Sequence, residues 1–190
     1  MRYLLVTMWW MMAMAPAWAG GLAPWTFGMS REQVTALTAQ GPYKAFRNGD
    51  LETYAGQFNG VQHNMQFYFN DGALWRISVN FYEGNDAQAA RAGWKQAYAA
   101  LAALYGPVEA RLASQGQGQD PAAGLDTLAD HAAHLVETGR KVQMAPVHQP
   151  REEMLFSSYQ RHAMGDDMLY RVVILIDPAS TPPARVASMP

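Results

Sequence analysis

Between Val61 and Phe81 apolar and polar side chains alternate with a period of two. Val61, His63, Met65, Phe67 and Phe69 fall on one side, with Gln62, Asn64, Gln66 and Tyr68 on the other. Past Asp71-Gly72, Trp75, Ile77, Val79 and Phe81 alternate with Arg76, Ser78 and Asn80. That pattern predicts two half-buried antiparallel strands. The dipeptides Asn48-Gly49, Asn59-Gly60 and Asp71-Gly72 punctuate the region, because Asn, Asp and Gly tolerate the positive φ that tight hairpins require. A two-residue turn at Asn59-Gly60 sets Phe58 opposite Val61, Tyr54 opposite Met65 and His63 opposite Gly56. For the next hairpin a two-residue loop sets Phe67 opposite Arg76 and mixes the faces. A three-residue loop, Asn70-Asp71-Gly72, is therefore expected, with Phe67 opposite Trp75 and Met65 opposite Ile77.

Elsewhere the period lengthens to that of a helix. Ser30 and Gln33 form a capping box ahead of a short helix over 31–39, stopped by Gly41-Pro42. Asp86 caps a long helix over 87–105, on which Ala90, Trp94, Ala97, Leu101 and Leu104 make one stripe. A third helix is expected over 125–137. The Gln/Gly-rich stretch 114–124 reads as a loop, and 141–151, with Pro146 and Pro150, as irregular. Two strands follow, over 154–162 and 168–176. The unbroken run Val172 to Ile176 suits a central strand covered on both faces. The economical sum is an α+β fold, an antiparallel sheet of hairpins with helices packed on one face. One domain is expected over 20–177, followed by a Pro/Ala/Ser-rich disordered tail over 178–190. No internal repeat is read beyond a weak echo between the two strand-rich regions.

The N-terminus adds a compartment. Arg2 precedes an apolar run from Tyr3 to Ala15, then Pro16 and the small-residue pattern Ala17-Trp18-Ala19. That order predicts a secretory signal peptide over 1–19, cleaved after Ala19, and a periplasmic or secreted product. The run is shorter than the roughly 20 residues a hydrocarbon core demands, and no later stretch approaches that length. The sequence has no cysteine, which excludes disulfides, thiolate metal sites, a cysteine nucleophile and a lipidated anchor. A net charge of −2 with scattered Lys and Arg gives no clustered positive face for nucleic acid or an anionic membrane.

Candidate chemistry is sparse. On the 125–137 helix, His131, His134 and Glu137 follow one another at three-residue spacing and form a candidate set of metal ligands. The motif lacks the glutamate of a metalloprotease HExxH, and a solvated helix face is its ordinary explanation. Ser157 and Ser158 have no strand-to-helix elbow, and the pairs Glu152-Glu153 and Asp166-Asp167 sit at strand ends. No catalytic residue and no cofactor are expected. The outer face of the main hairpin remains. Its uncharged amides, Asn64 and Gln66, with Tyr68, Arg76 and Tyr82, resemble the composition of adaptable protein-binding surfaces, and these five form the candidate binding surface.

The stretch Phe27-Gly28-Met29-Ser30-Arg31-Glu32-Gln33-Val34, closing with Gly41-Pro42 and running into hairpins, resembles the start of small bacterial envelope modules. These are outer-membrane assembly factors of the SmpA/OmlA (BamE-like) type and the fold-related β-lactamase-inhibitor-protein-like domains. The resemblance implies a short helix against an antiparallel sheet and action by binding other proteins. The expectation is a soluble exported protein-binding domain, of inhibitor or immunity type, whose partner is a cell-envelope protein. The alternatives are an envelope assembly or scaffold component and a metal-binding protein using the 131–137 helix.

Overall fold

The computed structural model describes residues 22, 24–112, 124–165 and 167–179. The expected signal peptide, most of the Gln/Gly-rich loop and the tail from 180 lie outside the described residues. Pro178, placed at the start of the tail by the sequence, instead closes the last strand.

The fold is α+β, with strand outweighing helix. In chain order come α1 (Arg31–Thr35), a 3-10 turn (Thr38–Gln40), β1 (Tyr43–Ala45), β2 (Leu51–Phe58), β3 (Val61–Asn70) and β4 (Ala73–Gly84). There follow α2 (Ala87–Tyr105), β5 (Val108–Leu112), α3 (Leu125–Glu137), β6 (Val142–Pro146), β7 (Glu153–Met164) and β8 (Asp167–Pro178). All eight strands join one sheet, in the order β1-β2-β3-β4-β8-β7-β6-β5, and every neighbouring pair is antiparallel. Two four-stranded halves thus meet along the β4–β8 seam. The apolar run in β8 sits in the middle of the sheet, as its composition requires.

The capping box forms as read: Ser30 Oγ accepts from Gln33 N–H, and Gln33 Oε1 accepts from Ser30 N–H at 2.8 Å. The helix it starts is shorter than expected, five residues before the chain tightens into the 3-10 turn. Asp86 caps α2 through Gln88 and Ala89, and α3 has the expected limits. Inner-facing side chains of the central strands, among them Met65, Phe67, Ile77, Val79, Ile174 and Ile176, are fully buried with Trp94 and Leu101 of α2. Over the β1–β3 end, Trp25 packs on Phe67 at 5.1 Å between ring centroids and donates to Tyr43 Oη at 3.1 Å.

Three irregularities correct the sequence reading. A bulge between Thr53 and Gly56 sets Thr53, not Tyr54, opposite Met65, so Tyr54 is exposed. The Asp71-Gly72 hairpin has a two-residue loop, Asn70 pairing with Ala73, with φ +50° and +81° at the turn residues. The ladder then slips by one residue between Tyr68 and Phe69, so Leu74 pairs with Phe69 and is buried while Tyr68 pairs with Arg76. Trp75 is the extra residue, so Phe67 faces Ile77, not Trp75, and Met65 faces Val79, not Ile77. A third slip, between Asn80 and Tyr82, turns Tyr82 to the inner side. There it packs against α2, and its hydroxyl accepts from Asp86 N–H at 2.8 Å. The stretch 141–151 is not wholly irregular, since it contributes β6, and β5 was not anticipated.

Candidate functional site

Because side chains alternate across a strand, the ladder registers define rows on the outer face. One row runs Lys44, Glu52, Gln66, Ser78, Leu175, Phe156, and the next Asn64, Asn80, Val173, Ser158, Gln143, Arg111. Of the five predicted surface residues, Asn64, Gln66, Tyr68 and Arg76 are brought together here. Tyr82 is not, because the β4 bulge reverses its side chain.

Two residues that the sequence reading missed complete the surface. Arg171 of β8 donates through Nη2 to Gln66 Oε1 at 3.0 Å and to Asn80 Oδ1 at 3.4 Å. Tyr68 Oη donates to the same Gln66 oxygen at 2.7 Å, and Asn80 Nδ2 donates to Asn64 Oδ1 at 2.7 Å. Asn64, Asn80, Arg171, Gln66 and Tyr68 therefore form one hydrogen-bonded chain across β3, β4 and β8. Asp177, buried at the far end of β8, accepts from Arg76 Nε and Nη2 at 2.6 and 2.7 Å. This fork holds Arg76 more firmly protonated than an ordinary guanidinium, and its Cζ lies over the Trp75 ring, 4.4 Å from the centroid. Their one sequence signal is the period-two spacing to Val173 and Leu175, which the unbroken apolar run Val172 to Ile176 masks.

The turn between β1 and β2 borders this network and, with β3, β4 and β8, frames an open cleft of about 560 Å³ lined by Phe46, Arg47, Gln66, Tyr68, Glu83 and Arg171. Beneath the face lie Ser78 and Ser158, both buried, whose hydroxyls have no hydrogen-bond partner in the structure. Neither adjoins a base in a nucleophilic arrangement. Ser157 points the other way, into the core. His63, opposite Gly56 as expected, is half-buried beside Phe81, its Nδ1 3.3 Å from Asn80 O. Burial pushes its imidazole below the usual range.

The proposed metal ligands fare differently. His131 and His134 are exposed on α3, whereas Glu137 is committed to the sheet. Its carboxylate accepts from Tyr170 Oη and, at 3.0 Å, from Arg161 Nη1. Accepting that bond keeps the Tyr170 hydroxyl protonated above its ordinary range. Among the described residues no group of three or more His, Cys, Asp or Glu side chains is placed to hold a metal ion. Among the same residues no helix is long and apolar enough to cross a membrane. No protein-family model, curated protein or solved structure matches the chain.

Proposed function

We propose that this chain is an exported, non-catalytic protein-binding domain of inhibitor or immunity type, and that it binds its partner through the outer face of the sheet. In this reading the helices and the N-terminal lead-in all lie on the inner side, leaving the outer side to another protein. The observation that carries the proposal is the hydrogen-bonded chain from Asn64 to Tyr68 through Arg171. Fixed amides, a tyrosine and a cation held in one geometry bind with little loss of side-chain freedom, the condition for a selective interface. The resemblance of the segment 27–34 to envelope modules that act by binding, and the signal-like N-terminus, support the same reading and an envelope partner.

The test is capture of partners from periplasmic and secreted fractions on the immobilised protein, identified by mass spectrometry. Capture of one stoichiometric partner, reduced at least about tenfold in affinity by Tyr68→Ala with Arg171→Ala, is the expected outcome. A partner whose affinity ignores both substitutions removes the outer face from the proposal. A set of envelope assembly proteins in place of one partner makes the chain a scaffold component.

A further inference from the structure

At the opposite end of the outer face, β5, β6 and β7 frame a second cavity, of about 340 Å³, lined by Met154, Phe156, Ala145, Gln149 and Arg111. That is the lower end of the range for small-molecule sites, about 300–1,000 Å³, and gives room for one large side chain. Its chemistry is apolar for a local reason. β6 stops pairing with β7 at Met144, which leaves the backbone of Leu155, paired with Ile176 of β8, without a ladder partner on the β6 side. The Gln149 side chain supplies one: its Oε1 accepts from Leu155 N–H at 2.8 Å and its Nε2 donates to Leu155 O at 2.8 Å. An apolar occupant therefore strands no backbone group of this strand, whereas a polar one finds these groups already taken. Met154 stands 41% exposed at the mouth, and its flexible thioether adapts to an occupant. Arg111 is exposed at the rim and steadied by Glu109 at 2.8 Å.

Charge narrows the occupant further. The basic side chains of the outer-face strands each have a carboxylate of this chain beside them. Lys44 lies 3.3 Å from Glu52, Arg76 2.6 Å from Asp177, Arg111 2.8 Å from Glu109 and Arg171 3.8 Å from Glu83. At this cavity a carboxylate arriving from a partner loses its water and meets only Arg111, already paired with Glu109, while no carboxylate lines it for an arriving cation. An aromatic ring suits both features, filling the cavity and lying against the Arg111 guanidinium, as Trp75 already lies against Arg76. We propose that the cavity between β5, β6 and β7 seats one aromatic side chain from an uncharged segment of the partner protein. The proposal rests on the protein-binding reading of the outer face and supplies its anchor point. Two strand spacings of about 4.8 Å separate β6 at this cavity from β8, which carries Arg171, and four separate it from β3, which carries Gln66, so one partner of ordinary interface size reaches both.

The probe is N-acetyl-L-tryptophanamide, titrated into the purified protein and followed by the methyl resonances of its methionines. Saturable shifts at Met154 and Met144, with Met65 in the core unmoved, are expected. The midpoint should be the same at low and high salt. Ala145→Trp, which fills the cavity from its surface side, and Phe156→Ala, which removes one wall, should each weaken binding about tenfold or more. Absence of shifts overturns the proposal, as does equal or tighter binding of N-acetyl-aspartate amide or N-acetyl-lysine amide. Self-association that Ala145→Trp abolishes also overturns it, by making a second copy the occupant. If a captured partner loses affinity with the Tyr68 and Arg171 substitutions but ignores Ala145→Trp, the anchor falls and the binding reading stands. If nothing is captured yet the indole probe binds as expected, the cavity takes an aromatic ring but the protein-binding reading falls, and the partner's side chain as its occupant falls with it.

Discussion

The two halves of the sheet share one architecture and meet at one seam, yet their outer faces differ in composition. Strands β1–β4 present Lys44, Glu52, Asn64, Gln66, Tyr68, Arg76 and Asn80, whereas β5–β8 set the apolar Ala145, Met154, Phe156, Val173 and Leu175 among the polar Gln143, Ser158, Arg171 and Asp177. Hydrogen-bonded amides fix orientation and reject a mismatched partner, while apolar carbon supplies area without direction. The seam carries the difference in miniature, in two arginines. Arg76 is neutralised by the fork to Asp177, which is only 3% exposed. Arg171 is held chiefly by neutral amide oxygens. Substitution separates the two roles. Arg76→Ala leaves a buried carboxylate unpaired and should cost about 3 kcal/mol. Asp177→Ala costs less, about 2 kcal/mol, because Arg76 still reaches water. Arg171→Ala should cost under about 1 kcal/mol, since Gln66 and Asn80 keep other partners. Urea denaturation of the three variants checks the ranking, and equal losses at Arg76 and Arg171 would erase the distinction.

The halves are joined from the inner side by α2, which packs against β4, β8 and β6. The close approach rests on Gly93, where an added Cβ would lie 2.9 Å from Tyr82 Cβ and 3.2 Å from Phe81 O. Neither atom is the free end of a flexible chain. Gly93→Val should therefore lift the helix from the seam and cost about 2 kcal/mol. Amide exchange should accelerate in both halves together, and acceleration in β1–β4 alone would show that α2 does not couple them.

Legibility also divides along the seam. The N-terminal hairpins are written in local chemistry, so their turns and the Phe58–Val61 register could be read directly. What misled was parity. A three-residue loop, or a two-residue loop followed by a bulge, keeps Met65, Phe67, Ile77 and Val79 on one face equally well. Only tertiary packing chooses burial of Leu74 over Trp75. The same kind of slip reversed Tyr82. In the other half the apolar run of β8 announced a central strand, but β5 and β6 are five residues each, too short for alternation to show. β6 also carries Pro146. Arg171 and Asp177 were hidden because a run read as uniformly buried conceals the alternation inside it. Glu137 was misassigned because helix spacing says nothing of Arg161 in β7 and Tyr170 in β8. If the two-residue turn is what sets the hairpin, Gly72→Ala, at φ +81°, should cost about 1 kcal/mol. A loss confined to that turn would appear as an unchanged denaturation slope with a lower midpoint.

The smallest expected effects concern pH, and here the halves should respond with opposite signs. In the first half, burial disfavours protonation of His63, whose folded-state pKa lies below the ordinary 6.5. The stability it confers is complete above about pH 6.5 and falls as acid protonates the unfolded chain first, levelling once the folded pKa is passed. In the second half, burial and the neighbouring Glu152 raise the pKa of Glu153 above its ordinary 4.5, and its Oε2 is buried without a hydrogen-bond partner. Its sign is reversed: stability is fully present below the unfolded pKa and is lost as pH rises through the folded one. His63→Phe should flatten the decline below pH 6.5 without changing the neutral side of the profile beyond a constant offset. Glu153→Gln should stabilise the protein at neutral pH and lose that advantage in acid. Urea midpoints across pH 4 to 8 for the two variants and their combination provide the check. Because the sites lie in different halves, far from one another in the strand order, their effects should add. A shortfall from additivity would mean that protonation in one half is felt in the other.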